Sequence, residues 1–192
     1  MKVKAHDYIP TRIPGKTRSV DAVHLTELIR SVRHSLKGDR PHFSTLNITE
    51  TNRMSTLIEG GFVWEDALEA EFKRRMGKRY ATDMLFQLET QYDGVYMTLD
   101  WFNQRTQRVY ESKFTSKTMR KMDTDERELH YLDWWQQLKA YCLAMETREA
   151  ELYVYWTRGD YSFGVDGGAQ ARRYEITFSK GELDDNWKVL KA

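Results

Sequence analysis

The spacing of apolar positions changes period several times along this chain, and each change marks an expected element. Ala22, Leu25, Ile29, Val32 and Leu36 recur at helical spacing, with Ser19 or Asp21 as the N-cap and Lys37-Gly38-Asp39 as the stop. The stretch FSTLNITETNRMSTLIEGG is ambiguous and holds a short helix. After Gly60-Gly61, FVWEDALEAEFKRRM returns to helical spacing with Phe62, Leu68 and Phe72 near one face, and Gly77 closes it. MLFQLETQ, DGVYMTL and QRVYESKFT then read as strands, the last two joined by a polar turn at DWFNQ. Tyr131 to Glu146 is an amphipathic helix through Trp134, Leu138, Tyr141, Cys142 and Met145, and ELYVYW follows it as a strand. A strand, a helix and a strand in that order predict a crossover that leaves ESKFT and LYVYW parallel. GDYSFGVDGGAQA is a Gly-rich loop, and RRYEITFS is the last strand, with Tyr174, Ile176 and Phe178 alternating.

These elements predict an α/β fold with a central mixed sheet flanked by helices. Residues 1–18, basic and interrupted by Pro10 and Pro14, read as an N-terminal arm, and 19–192 as a single domain. The length of 192 residues and 40% hydrophobic content suit one core of that size. A net charge of +1 gives no global basic field, so any nucleic-acid contact is local. No apolar run nears the roughly 18–20 residues that span a bilayer, and no secretory signal opens the chain, so the expectation is a cytoplasmic protein without a membrane partner. Cys142 is the single cysteine, which excludes an internal disulfide, a cysteine-based structural zinc site and an iron-sulfur cluster held by four thiolates of one chain.

The chemistry concentrates in the second half. Glu111 and Lys113 lie two apart on an expected strand, so they share a face while Ser112 points away. Glu71-Phe72-Lys73 has the same spacing on a helix, where residues two apart diverge. Asp93 opens the preceding strand, and adjacent antiparallel strands bring it toward Glu111. Asp93-Gly94 alone reads equally well as a tight turn, and Asp100 competes with Asp93, although it falls in the expected turn and lacks a following glycine. Paired carboxylates are what a hard divalent cation needs, since Mg²⁺ commonly takes one or two together with water and substrate phosphate. Gln137 and Tyr141, one helical turn apart, reach one site together.

In this order, Asp93-Gly94, Glu111-Ser112-Lys113 and Gln137-Leu138-Lys139-Ala140-Tyr141 resemble the motifs of the PD-(D/E)XK nuclease superfamily, in its RecB-like and phage lambda-exonuclease-like branch. The resemblance spans about residues 60 to 156. It implies a restriction-endonuclease-like core and an acidic residue on the preceding helix, for which Gly61-Phe62-Val63-Trp64-Glu65 supplies Glu65, with Glu69 competing one turn later. It further implies that Asp93, Glu111, Glu65 and the Ser112 carbonyl hold one or two Mg²⁺ or Mn²⁺ ions. Lys113 would then orient the attacking water, and Gln137 and Tyr141 would position the site or a phosphate. The lone cysteine places the chain with members that lack an iron-sulfur cluster.

The implied function is metal-dependent hydrolysis of DNA, as an exonuclease in recombination, repair or phage DNA metabolism; a phage-encoded enzyme would act in the host cytoplasm. Arg105, Arg108, Lys117, Arg120 and Lys121 flank the motif and offer phosphate contacts. Trp64, Trp101, Trp134 and Trp135 offer stacking surfaces, though a core role suits most of them better. A catalytically silent DNA-binding or assembly module of the same fold is the alternative, and a carbohydrate site built on tryptophans and paired acids ranks below it. The histidines form no HExxH pair, and neither a Walker loop nor a GxSxG elbow occurs.

Overall fold

The computed structural model of the chain describes residues 23–37, 48–122, 124, 127–158 and 168–192. The expected arm at 1–18, the caps Ser19 and Asp21 and most of the Gly-rich loop lie outside the described residues. In chain order the elements are α1 (Leu25–Lys37), α2 (Ile48–Met76), α3 (Arg79–Asp83), β1 (Met84–Tyr92), β2 (Val95–Asn103) and β3 (Arg108–Thr115), then α4 (Arg127–His130), α5 (Leu132–Ala144), β4 (Glu149–Trp156), β5 (Gln170–Thr177) and α6 (Lys180–Lys191).

The strands form one sheet in the order β1-β2-β3-β4-β5. Only β3 and β4 are parallel; the other neighbours are antiparallel. This is the α/β mixed sheet that the periodicity predicts, with α5 making the crossover between the parallel pair. Helices cover both faces. Leu99, Val109, Leu152, Val154 and Trp156 pack with Leu138, Tyr141 and Cys142 of α5 and with residues of α1 and α6. On the opposite face Trp64, Leu68 and Phe72 of α2 meet Trp101 and Tyr153, and Tyr110 and Phe114 pack beside them. Phe72 stands edge-on to Trp101, Tyr110 and Tyr153, with ring centroids 5.3–5.6 Å apart, a favourable arrangement of aromatic quadrupoles. Trp64, Trp101, Trp134 and Trp135 are all buried, so none offers a free stacking face.

Three local expectations change. Gly60-Gly61 does not begin a helix; α2 runs straight through it. A Cβ at Gly60 would lie 2.4 Å from the Phe114 ring, so the glycine lets α2 approach the sheet closely rather than breaking the helix. DWFNQ is not a turn, because β2 continues to Asn103. The turn comes later, where Asn103 Oδ1 accepts the backbone N–H groups of Arg105 and Thr106, each at 3.0 Å. Finally, the last strand, β5, is followed by a helix that the periodicity did not predict. Ser179 and Glu182 form a capping box that starts α6, and Leu183, Trp187 and Leu190 bury its inner face. The Ser-x-x-Glu signature before an apolar series is the sequence signal for this helix.

Candidate active site

The candidate site lies where β2 and β3 part. Their ladder pairs Trp101 with Tyr110, Phe102 with Val109 and Asn103 with Arg108, and stops there. β3 remains fully paired with β4 across Glu111, Ser112 and Lys113, so the motif sits on a strand held firmly on one side and open on the other. By this register the Ser112 N–H would meet the Leu99 carbonyl if the ladder continued. Instead it donates to Asp100 Oδ2 at 2.8 Å, and the Ser112 hydroxyl donates to the same oxygen at 2.8 Å. Asp100 therefore replaces a backbone acceptor at the fork. The Ser112 carbonyl lies on the same side of the strand as its N–H and faces the same opening.

A second bridge crosses the gap through α5. The Tyr141 hydroxyl donates to the Thr98 carbonyl at 2.7 Å and accepts from Gln137 Nε2 at 2.6 Å. Lys113 Nζ donates to Gln137 Oε1 at 2.9 Å and also to Glu111 Oε1. The Gln-x-x-x-Tyr pair thus ties a β2 carbonyl beyond the β2–β3 ladder to the lysine and holds the ammonium in place. These residues line one cavity of about 250 Å³, which contains Glu65, Asp100, Glu111, Ser112, Lys113, Gln137 and Tyr141.

Of the acids expected from sequence, Glu65 and Glu111 enter the cavity and Asp93 does not. Asp93 and Gly94, at φ 48° and 78°, form the two-residue hairpin between β1 and β2, the turn geometry that Asp-Gly favours. The Asp93 carboxylate accepts from Trp187 Nε1 at 3.1 Å and pairs with Lys191 at 3.4 Å, which anchors α6 and holds its pKa below the ordinary carboxylate value. Asp100 occupies the place assigned to Asp93, since β2 runs past it and carries it to the fork. Between the two helix acids, Glu65 lines the cavity. Glu69 accepts from the Tyr80 hydroxyl at 3.1 Å and pairs with Lys73 at 2.8 Å.

Electrostatically the site is short of positive charge. Glu111 is 2% exposed and its Oε2 has no hydrogen-bond partner. Burial, reinforced by the negative charge of Asp100 and opposed by Lys113, pushes its carboxyl up to about 8. Burial pulls the Lys113 ammonium down, but the carboxylates of Glu111 and Asp100 outweigh it and hold Lys113 above its ordinary value. A buried carboxylate oxygen without a donor, facing further acids and a strand carbonyl, suits a hard cation. Among the described residues no three His, Cys, Asp or Glu side chains form a preassembled metal cage. Any ion here would complete its shell with water, backbone or substrate oxygen.

His24, Thr26, Gln87, Tyr96 and Thr98 also line the cavity and were not singled out from sequence. The start of α1 docks on β2 through a bridge between His24 and Tyr96, with the Tyr96 N–H donating to the Val23 carbonyl at 2.9 Å. That docking is a tertiary pairing, which no local period reports. Two of the flanking arginines serve the fold: Arg105 pairs with Asp83 at 2.7 Å, and Arg108 with Glu151 at 2.7 Å and Glu149 at 3.3 Å.

No family model and no curated protein sequence matches the chain. Solved structures do. LHK-Exo, an alkaline exonuclease from Laribacter hongkongensis, superposes with a TM-score of 0.51 at 11% identity, covering 88% of this chain and 84% of that one. A phage-related exonuclease from Haemophilus somnus 129PT gives a TM-score of 0.48 at 11% identity, covering 88% of this chain and 90% of that one. Among the described residues, no helix is long and apolar enough to cross a membrane. The chain is an α/β protein whose five-stranded mixed sheet is similar to that of the alkaline exonuclease.

Proposed function

We propose that the protein is a metal-dependent deoxyribonuclease of the PD-(D/E)XK type, without an iron-sulfur cluster, and that it degrades DNA from an end. The observation that carries this reading is the convergence of Glu65, Asp100, Glu111 and Lys113 on one cavity at the β2–β3 fork, with a buried Glu111 oxygen left unpartnered. Similarity of fold to an alkaline exonuclease supports it.

Asp100, Glu111 and the Ser112 carbonyl would hold Mg²⁺ or Mn²⁺, with Glu65 reaching it directly or through water. When bound, the ion polarises the scissile phosphate and acidifies a water molecule. Lys113 lies beside Glu111 and is fixed by Gln137, so its ammonium orients the attacking water and offsets charge developing on the phosphate. Glu65, on the facing helix, completes the acidic wall. Gln137 and Tyr141 keep Lys113 and β2 in register. The role we propose for this chemistry is in recombination, repair or phage DNA metabolism, with DNA as the partner.

The test incubates linear and circular DNA, single- and double-stranded, with Mg²⁺, Mn²⁺ or EDTA. Cleavage of linear DNA alone, abolished by EDTA and by Lys113→Ala, is the expected result. Metal-independent cleavage, or full activity of Lys113→Ala, overturns the reading.

A further inference from the structure

Gln87 stands opposite Asp100 in the β1–β2 register, and its backbone is in the left-handed region at φ 50°. A residue other than glycine pays for this conformation, and glutamine has no special tolerance for it. The ladder skips this one position. Phe86 pairs with Trp101 and Leu88 with Leu99, while Gln87 and Asp100 do not pair.

Both strands change phase here. Leu99 and Trp101, two apart, would share a face in a regular strand. Instead Leu99 enters the core beneath α5 and Trp101 the core beneath α2. On β1, Leu85 and Leu88 are three apart yet pack against the same core. No residue is inserted in either strand, so the register survives the kink. What changes is the direction of the residue in between: the Asp100 carboxylate turns out of both cores toward β3, where Ser112 donates to it.

We infer that Gln87 is a positioning residue, whose left-handed backbone turns Asp100 toward Glu111 and so assembles the acidic pair of the site. The inference deepens the proposed function and rests on it for the catalytic consequence. The geometric part stands apart, because the Ser112 amide reports the place of Asp100 without any metal. Gln87 is exposed at the cavity wall, so replacing its side chain opens no core.

The experiment measures amide hydrogen exchange at Ser112 and Mn²⁺-dependent cleavage of linear DNA in full-length Gln87→Gly, Gln87→Asn and Gln87→Val. Glycine and asparagine enter the left-handed region readily, whereas β-branched valine does not. Gly and Asn variants are expected to keep Ser112 protection and cleavage within about threefold of the unsubstituted chain. Val is expected to lose about tenfold or more in both while circular dichroism shows a folded chain, since small misplacements of a reacting group are costly. If the Val variant does not fold, Gln87→Ala replaces it, with losses expected between those of Gly and Val. Unchanged Ser112 protection in the Val or Ala variant overturns the inference. So does a Gly variant as impaired as Val, which would assign the effect to the side-chain amide. If the protection order holds but the unsubstituted chain cleaves no DNA, the nuclease reading falls and the positioning role stands.

Discussion

Two Glu-x-Lys sequences of identical spacing, Glu71-Phe72-Lys73 on α2 and Glu111-Ser112-Lys113 on β3, end in opposite electrostatic states. On the helix, residues two apart project roughly 200° from each other. Glu71 turns to Arg74 and Arg75, at 2.8 and 2.5 Å, while Lys73 turns to Glu69. Its hydrogen bonds with Arg74 and then Arg75 pull the Glu71 carboxyl down to about 2. On the strand the two side chains share a face, and burial pushes Glu111 up to about 8. Spacing gains chemical meaning through the period of its element. The acid suited to bind a cation is the one that the fold leaves undercompensated.

The largest expected effect tests that contrast directly. Glu111→Gln, Asp100→Asn and Lys113→Ala should each lower Mn²⁺-dependent cleavage by about 10²–10³-fold, the usual scale for removing one preorganised charge or donor. Glu71→Ala and Lys73→Ala should stay within about twofold. Asp93→Ala belongs with this second group in rate, although it should lower the thermal midpoint by a few degrees, because it frees Trp187 and Lys191 and leaves alanine at positive φ. Equal loss in Asp93→Ala and Asp100→Asn would break the assignment of Asp100 to the fork.

A smaller loss, about tenfold, is expected for Gln137→Ala and Tyr141→Phe, which touch the lysine and the β2 backbone rather than the acids. The signature to look for is a fall in kcat at little-changed KM.

The mixed sheet with its parallel β3–β4 pair, and the meeting of Glu65, Glu111, Lys113, Gln137 and Tyr141 at one cavity, were legible because each depends on a local period or on a motif within one element. Asp93 misled for a physical reason. Asp-Gly is both a family signature and the most favourable hairpin turn, and here the turn wins. Asp100 was hidden by its company: Asp100, Asn103 and Gln104 make DWFNQ look like a polar turn, so the strand reads as ending at Leu99, although Val95, Met97, Leu99 and Trp101 continue its alternation. α1 reaches the cavity only by docking on β2, and contacts of that kind are set by tertiary packing.

Stability of the metal-free protein sharpens the contrast on the alkaline side. A carboxyl raised from 4.5 to about 8 makes the folded state hold its proton where the unfolded chain has released it. Stability should then fall as pH rises through that window, by at most about 1.4 kcal/mol per pH unit for one group. In EDTA, Glu111→Gln should flatten this slope and raise the thermal midpoint at pH 8, although with Mn²⁺ the same variant is the one that loses about 10²–10³-fold in cleavage. Added Mn²⁺ should raise the midpoint of the unsubstituted chain and leave that of the variant nearly unchanged. An unchanged slope in the variant would show that the buried carboxylate is compensated in some other way.

Glu71 should show the opposite sign and the smallest effect. Its folded value of about 2 lies below the 4.5 of the unfolded chain, so its ion pairs stabilise the protein fully above about pH 4.5. That contribution is lost as pH falls from there toward 2. Glu71→Gln should therefore lower the thermal midpoint slightly at pH 7 and remove part of the acid-side decline, with cleavage untouched at every pH. Arg74 and Arg75 are surface partners and part of the gain is screened, so the difference should shrink further in high salt. The Glu111→Gln difference in EDTA should persist in the same salt, because Glu111 and its partner Lys113 are both largely covered, whereas Arg74 stands exposed beside Glu71. Salt thus separates the two acids even if their pH slopes overlap. A Glu71→Gln variant that loses cleavage would mean that the helix pair reaches the site after all.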